Sequence, residues 1–182
     1  MRRACYVTVA VAALVASAGS VASVTAPDAK SLALRQADFP APAARMSEKE
    51  NRSAALPGGT GQAYTTTFQF RVGRRTESIG TIVITAPSAS VARRVYAAAV
   101  ADARKGAVGA LRLPRLGDEQ YAALYGRPSV DETSGLVWVR KNTVVWQVQA
   151  TSVRNPLGFS RTAAQAELNR YAWKQMRRVG SG

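Results

Sequence analysis

Two apolar runs flank four polar residues in the stretch GLVWVRKNTVVWQVQA, residues 135–150, and no other stretch constrains the fold as strongly. Asn tolerates positive φ better than most side chains, so Lys141 and Asn142 are predicted at the centre of a tight turn between two strands. The predicted cross-strand pairs are Val139 with Val144, Trp138 with Val145, and Val137 with Trp146. Because such a turn reverses the chain direction, the stretch predicts an antiparallel sheet.

The two faces of this hairpin differ in polarity, since neighbouring residues of a strand point to opposite sides. One face is apolar throughout and is predicted to lie in the core; it carries Val137, Val139, Val144, Trp146, Val148 and Ala150. The other face is mixed and carries Leu136, Trp138, Arg140, Thr143, Val145, Gln147 and Gln149. A mixed face is either half-covered surface or the floor of a cleft. Structural packing is one interpretation, and ligand contact by Trp138, Arg140 and Gln147 is the other.

Three other segments are predicted as strands. Residues 64–72 carry apolar side chains at alternate positions, and residues 79–86 form a β-branched run close enough to pair with them. A further strand is predicted over residues 117–126, between two glycines. Residues 40–61 are rich in Pro, Gly, Ala and charge, and we expect them to be the least ordered part, with at most a short helix around Ala43 to Ala55.

Two amphipathic helices complete the pattern. The first spans Ala89 to Lys105 behind the N-cap Ser88 and ends at Gly106, and the second spans Arg161 to Arg178. The order ββαβββα predicts an α+β fold, with an antiparallel β-sheet of about five strands and two main helices packed on one face.

The first residues of the chain have the order of a secretory signal peptide. Two arginines precede an apolar run shorter than the roughly 20 residues of a membrane-spanning helix, and small residues follow it. We therefore expect a signal peptide over residues 1–22, a linker over residues 23–31 and a single domain over residues 32–182. Cleavage removes Cys5, the only cysteine, so no disulfide is expected. The expected location is extracellular, either free or associated with the cell wall.

Positive charge dominates the composition. The chain has 25 Lys and Arg against 11 Asp and Glu, and removal of Arg2 and Arg3 leaves 23 against 11, a balance of +12. Such an excess favours anionic partners such as polymers, nucleic acid or lipid headgroups. Specific nucleic-acid recognition is not expected, because no motif supports it.

The last predicted helix concentrates part of this charge. Arg170, Lys174 and Arg177 recur at i, i+4 and i+7, Arg178 flanks them, and Trp173 lies at the edge of the stripe. An exposed indole between cations can stack on a base or sugar, or settle among lipid headgroups. The stripe is therefore either a solvated helix face or an anion-binding surface.

The residue inventory excludes several reaction classes. There is no histidine, which removes Ser-His-Asp catalysis, histidine metal sites and the commonest general base near neutral pH. No phosphate-binding loop or calcium loop is present, so neither a cofactor nor a metal is expected. The remaining catalytic option is a pair of carboxylates, with Asp118–Glu119 and Asp131–Glu132 as adjacent pairs. Neighbours in a strand point to opposite faces, so turn formation and solvation are the simpler interpretations.

Three motifs occur in a familiar order: LALRQADFP near the predicted mature start, LGDEQYAAL in the middle, and VWVRKNTVVWQV before the last helix. Together they resemble the PknH-like extracellular sensor domains and the related secreted or lipid-anchored proteins of high-GC Gram-positive bacteria, over residues 32–179. The resemblance implies an antiparallel sheet with helices on one side, a cleft for an unidentified ligand and no catalytic residues. This chain departs from the kinase sensor domain because it lacks the disulfides, the kinase and a transmembrane segment.

Three functions are consistent with these features. The first is a secreted, non-enzymatic ligand-binding or sensor-like domain whose cleft includes Trp138, Arg140 and Gln147. The second is a basic surface-association protein whose last helix binds anionic cell-wall polymer or lipid. The weakest is a carboxylate-based hydrolase. The expected partner is accordingly an unidentified small ligand or an anionic envelope component.

Overall fold

The computed structural model of the protein describes residues 27–40, 42–73, 75–127, 132–153 and 161–180. The elements in chain order are helix α1 (Ala29–Leu32), a 3-10 turn (Gln36–Asp38), strands β1 (Ala43–Leu56), β2 (Gly59–Val72) and β3 (Arg75–Thr85), helix α2 (Ala89–Lys105), strands β4 (Gly109–Ala110), β5 (Glu119–Arg127), β6 (Glu132–Lys141) and β7 (Val144–Val153), and helix α3 (Arg161–Gly180). The predicted signal peptide, residues 1–22, lies outside the described residues.

The strands form one antiparallel sheet of seven strands in the order β1-β2-β3-β7-β6-β5-β4. The predicted α+β class and antiparallel sheet are confirmed, whereas the estimate of about five strands missed β1 and β4. The expectation of at most a short helix around Ala43 to Ala55 is wrong, because this segment is β1. Residues 44–53 of β1 are all exposed, since the strand lies at the sheet edge, so its sequence has no apolar alternation to detect.

The two long helices pack on opposite faces of the sheet. Helix α3 covers the face that carries Val137, Val139 and Trp146, and α2 covers the face that carries Leu136, Trp138 and Val145. The prediction that both helices pack on one face is therefore wrong. The mixed hairpin face was not predicted to bury a helix because polar residues alternate with its apolar ones. Its apolar residues Leu136, Trp138 and Val145 nevertheless pack against the apolar stripe of α2.

The hairpin itself is shifted in register from its prediction. Val139 pairs with Trp146 and Trp138 with Gln147, and Asn142 takes the positive φ of 53° in the turn. The predicted pairing is displaced by two residues. Because strand faces alternate with a period of two, this shift leaves every side chain on its predicted face. The apolar face is confirmed as core: Val137, Val139, Val144, Trp146, Val148 and Ala150 are all buried.

The N-terminal segment is docked onto the sheet. Asp28 caps α1 by accepting hydrogen bonds from the N–H groups of Lys30 and Ser31. Ala29 is buried in the core, and its N–H donates to the side-chain oxygen of Gln62 over 3.2 Å. Residues 29–31 of the predicted linker are therefore part of the packed structure, while residues 23–26 lie outside the described residues.

Helix α2 has the boundaries that its sequence predicts. The Ser88 hydroxyl accepts a hydrogen bond from the N–H of Val91 over 3.3 Å, and the helix ends before Gly106. Arg94 on its outer side donates to the carbonyl of Pro57 over 2.9 Å and so connects α2 to the turn between β1 and β2. In the part of the chain that the structure describes, no helix has the length and apolar composition needed to cross a membrane.

Candidate functional site

The outward side of α3 carries the strongest candidate surface. The buried side of the helix consists of Ala164, Leu168, Tyr171, Ala172, Gln175 and Val179. Arg170, Trp173 and Arg177 lie on the opposite, exposed side, which we call the α3 outer face. Trp173 is 36% exposed, whereas Trp138 and Trp146 are 3% and 0% exposed. Along the helix, Trp173 follows Arg170 by three residues and precedes Arg177 by four.

The two guanidinium groups of the outer face differ in their pairing. Arg170 forms a 3.5 Å ion pair with Glu167, one turn earlier in the helix. Arg177 is exposed and has no ion pair with any residue in the described ranges. An anion that approaches Trp173 therefore meets at least one cation that is not already paired with a carboxylate of the described residues.

The other two predicted anion-binding residues hold the 3-10 turn. Arg178 donates to one carboxylate oxygen of Asp38 from Nε over 3.1 Å and from Nη2 over 2.8 Å. The Lys174 ammonium donates to the main-chain oxygen of Asp38 and lies 5.4 Å from the centre of the Tyr171 ring. These contacts assign both side chains a structural role, which the sequence stripe does not distinguish from binding.

A shallow depression joins this contact to the outer face. It has a volume of about 270 Å³ and is lined by Ala37, Asp38, Lys174, Arg177 and Arg178. Three cations therefore surround the single carboxylate of Asp38. Arg178 is paired with it, whereas Lys174 contacts only a main-chain oxygen and Arg177 has no ion pair within the described ranges. The Tyr171 hydroxyl below has no role in this charge balance, because burial, followed by the nearby Glu167, raises its pKa to about 12.

The predicted hairpin site is assembled but covered. Trp138 lies directly opposite Gln147, and Arg140 follows on the same face. Their exposed fractions are 3%, 3% and 5%, and Trp138 belongs to the cluster of apolar side chains beneath α2. The mixed face is consequently an interior surface at this end of the sheet, and a ligand cannot reach these residues while α2 is docked.

Arg140 is occupied by partners that sequence reasoning did not connect to it. Its guanidinium donates to Asp118 over 2.8 Å, to Glu119, and to the carbonyl of Asn142 over 3.1 Å. Asp118 also accepts the N–H of Asn142 over 2.9 Å. Glu119 lies directly opposite Arg140 in the pairing of β5 with β6. A prediction of that pairing would have been needed to connect the two acids with Arg140.

The contacts of Arg140 with Asp118 and Glu119 also bear on whether these two carboxylates could catalyse hydrolysis. The hydrogen bond from the Asn142 N–H, together with the charge of Arg140, holds the pKa of Asp118 below its usual range. A general acid needs the opposite shift, because it must keep its proton near neutral pH. Asp118 and Glu119 are therefore suited to an ionic link between β5 and the β6–β7 turn. Asp131 and the side chain of Glu132 lie outside the described residues.

A second cleft lies between the N-terminal segment and the β1–β2 hairpin, and no sequence motif indicated it. It has a volume of about 450 Å³ and is lined by Asp28, Lys30, Ser31, Leu34, Arg35, Gln36, Arg45, Tyr64 and Phe68. We call it the N-terminal cleft. Its formation depends on the packing of residues 29–36 onto the sheet, and of these only residues 29–31 belong to the predicted linker.

Charge pairs surround the N-terminal cleft. Lys30 binds Glu48 over 2.9 Å and Glu50 over 3.6 Å, and Arg45 pairs with Glu48 as well. The hydrogen bond from Lys30 lowers the pKa of Glu48. Burial, followed by a hydrogen bond to Glu48, raises the pKa of Tyr64. Glu48 is thus a fixed anion that already serves both Lys30 and Arg45.

Within the described ranges, no group of three or more Asp, Glu, His or Cys side chains is placed to hold a metal ion. No family model, curated protein or solved structure matched this chain. Its resemblance to PknH-like sensor domains therefore remains a prediction from three short motifs.

Proposed function

We propose that the protein is an exported, non-enzymatic binding domain that associates with anionic lipid surfaces of the cell envelope through the α3 outer face. The observation that supports this proposal is the position of Trp173, exposed between Arg170 and Arg177 on the side of α3 that faces away from the sheet. It corresponds to the surface-association function among the three that the sequence allows.

The chemistry of these three side chains suits a headgroup layer. An indole is amphipathic and is favoured where an apolar region meets a polar one. Each Lys or Arg close to an anionic membrane contributes about 1 kcal/mol of attraction, which decays within a Debye length. Arg177 contributes without first breaking an ion pair among the described residues, and the basic balance of the whole chain adds long-range attraction.

Lys174 and Arg178 have a supporting part in this proposal. Both contact Asp38 and so fix the 3-10 turn beside the outer face: Arg178 is paired with the carboxylate, and Lys174 donates to the main-chain oxygen. The cations proposed to contact lipid, Arg170 and Arg177, are therefore only part of the stripe that the sequence shows, which also includes Lys174 and Arg178.

A sensor-like role at the hairpin has less support from the geometry. Trp138, Arg140 and Gln147 are buried, Trp138 packs beneath α2, and the Arg140 guanidinium is occupied by Asp118 and Glu119. Ligand contact at this face requires α2 to leave the sheet, which exposes its whole apolar cluster to water.

Co-sedimentation with lipid vesicles tests the proposal. The protein should bind phosphatidylglycerol vesicles and not phosphatidylcholine vesicles, and binding should weaken steeply as salt is raised. The double variant Arg170→Gln/Arg177→Gln should bind much more weakly. Arg71→Gln/Arg93→Gln removes the same charge from exposed positions elsewhere and serves as the matched control.

Replacement of Trp173 separates a membrane from a soluble polymer. Trp173→Ala should weaken vesicle binding without changing its dependence on salt, because the indole contributes an uncharged interaction. The alternative outcome is that the protein binds inorganic polyphosphate equally well with and without Trp173→Ala and does not bind vesicles. That result would show that the partner is an anionic polymer and not a lipid. Equal losses in the two double arginine variants would show that only net charge matters.

A further inference from the structure

We propose that the N-terminal cleft binds a small carboxylate with an apolar body, with Arg35 as the residue that pairs with the carboxylate. This site shares no residue with the α3 outer face, and it is independent of membrane association. Its volume of about 450 Å³ falls within the range of small-molecule pockets, about 300–1,000 Å³.

Most polar groups that line the cleft already have partners. The Asp28 carboxylate caps α1, and the Ser31 hydroxyl donates to the carbonyl of Asp28 over 2.7 Å. The Gln36 amide donates to the carbonyl of Ala43 over 2.7 Å and closes one end. These groups shape the cleft and have little capacity left for a ligand.

Arg35 differs from the other cations of the lining. Lys30 and Arg45 are both paired with Glu48, whereas Arg35 is exposed and forms no ion pair within the described ranges. The main-chain N–H of Arg35 donates to Asp38 over 2.7 Å, which fixes the backbone and leaves the guanidinium free to turn toward the cleft. A guanidinium presents a planar fork of donors that matches a carboxylate.

The charge balance favours a single negative charge on the ligand. The charged residues of the lining and their ion-pair partners are the cations Lys30, Arg35, Arg45 and Arg52 and the carboxylates Asp28, Glu48 and Glu50. The nearby Asp38 carboxylate is already paired with Arg178. Arg52 is engaged by Glu50 over 2.5 Å, and four cations against three carboxylates leave one positive charge in excess. Arg35 is the lining cation that has no ion pair within the described ranges. A dianion such as a phosphate monoester meets repulsion from the nearby carboxylates, whereas a monoanion is matched.

The floor of the cleft accounts for the apolar body. Leu34, Tyr64 and Phe68 are the apolar and aromatic lining residues, and all three are held in the core at 5% exposure or less. They provide a rigid surface, so little side-chain entropy is lost when a ring or short alkyl chain lies on it. The pairing of an apolar floor with one free guanidinium is the recognition pattern for a small amphiphilic acid.

Backbone amide NMR on the purified protein tests this inference with benzoate and octanoate as probes. Saturable shifts should appear at the amides of Leu34, Arg35 and Phe68. Benzamide, which lacks the charge, and phenyl phosphate, which carries more of it, should bind more weakly than benzoate. Arg35→Gln should weaken benzoate binding by about tenfold or more, the loss of one charge-assisted contact.

Two matched variants keep the outcome distinct from membrane association. Arg93→Gln on α2 and Arg177→Gln on α3 should bind benzoate as the parent does. The inference is overturned if benzamide binds as tightly as benzoate, if phenyl phosphate binds more tightly, or if Arg35→Gln has the affinity of the parent. If Arg177→Gln loses vesicle binding but binds benzoate as the parent does, the two sites are separate and the inference about the cleft stands.

Discussion

Arg140 and Asp118 form a 2.8 Å ion pair in which the Arg140 side chain is 6% exposed and the Asp118 side chain is 45% exposed. Glu119, 42% exposed, binds the same guanidinium. The cation is therefore the desolvated partner, and the two acids remain in contact with water. Removal of the acids leaves a buried cation unpaired, whereas removal of the cation leaves two solvated acids unpaired. The two changes should therefore lower the free energy of unfolding by different amounts.

The first prediction concerns that asymmetry. Asp118→Asn/Glu119→Gln should lower the free energy of unfolding by about 2–3 kcal/mol, because it leaves a buried charge without counter-charges. Arg140→Met keeps most of the side-chain volume and leaves only solvated acids, so it should cost about 1 kcal/mol. Urea titrations of both variants measure the difference. A larger loss in Arg140→Met than in the acid variant would show that the guanidinium is the less desolvated partner.

The second prediction is a loss of stability in acid. The pKa of Asp118 is lowered in the folded state, so its contribution is complete above the unfolded value of about 3.9 and is lost as the pH falls through the lower folded value. Urea midpoints should therefore decrease below about pH 4. Asp118→Asn should show a shallower decrease, the remainder coming from Glu48 and Glu50, whose pKa values are also lowered. Parallel curves for parent and variant would remove Asp118 from the explanation.

The third prediction compares the two buried tryptophans. Trp146 lies beneath α3 and Trp138 beneath α2, and both are almost fully buried. Each Trp→Ala change should therefore cost about 3–5 kcal/mol, the usual range for a core aromatic residue. Trp173→Ala should cost much less, because Trp173 is exposed. A loss at Trp138 as small as at Trp173 would mean that α2 does not cover the mixed face in solution.

The fourth prediction concerns the contact between β6 and α3. A Cβ atom at Gly135 would lie 2.7 Å from Leu168 Cδ1 and 3.4 Å from Ala164 Cβ, so Gly135→Ala should destabilise the protein by about 1–3 kcal/mol through overpacking. Gly80→Ala is the control, since the nearest atom to its new Cβ would be 3.9 Å away. Thermal unfolding should show a lower midpoint for Gly135→Ala alone. Leu168→Ala in the Gly135→Ala background should cost less than it does in the parent, because the clash is relieved.

Local signals in the sequence were sufficient to predict helix α2 and the hairpin of β6 and β7. The N-cap Ser88 and the apolar stripe of α2 predicted that helix, and the alternation in residues 135–150 predicted the hairpin and both of its faces. The register was displaced by two residues because either Lys141 or Asn142 can begin the turn. Of these two residues, Asn142 is the one with positive φ in the structure. A two-residue shift in pairing keeps every side chain on its predicted face.

Longer-range features could not be predicted in this way. The edge strand β1 depends on hydrogen bonds to β2, and its exposed, charged residues have no strand period. The side of the sheet chosen by α2 depends on how Leu136, Trp138 and Val145 combine with apolar residues of another strand, Ile82 and Ile84. The N-terminal cleft depends on contacts between segments that lie far apart in the chain, such as Ala29 with Gln62. In the candidate surface, helical spacing located Trp173 and its cations but did not show that Asp38 engages Lys174 and Arg178.

Acrylamide quenching of tryptophan fluorescence is the most direct test of membrane association by the α3 outer face. Trp138 and Trp146 are buried, so the quenchable emission of the free protein should come from Trp173 and should be missing in Trp173→Phe. Addition of phosphatidylglycerol vesicles at low salt should protect Trp173 from acrylamide and shift its emission to shorter wavelength, and Arg170→Gln/Arg177→Gln should abolish both effects. If the protein co-sediments with these vesicles while Trp173 stays as quenchable as in the free protein, the outer face of α3 is not the surface that contacts the membrane.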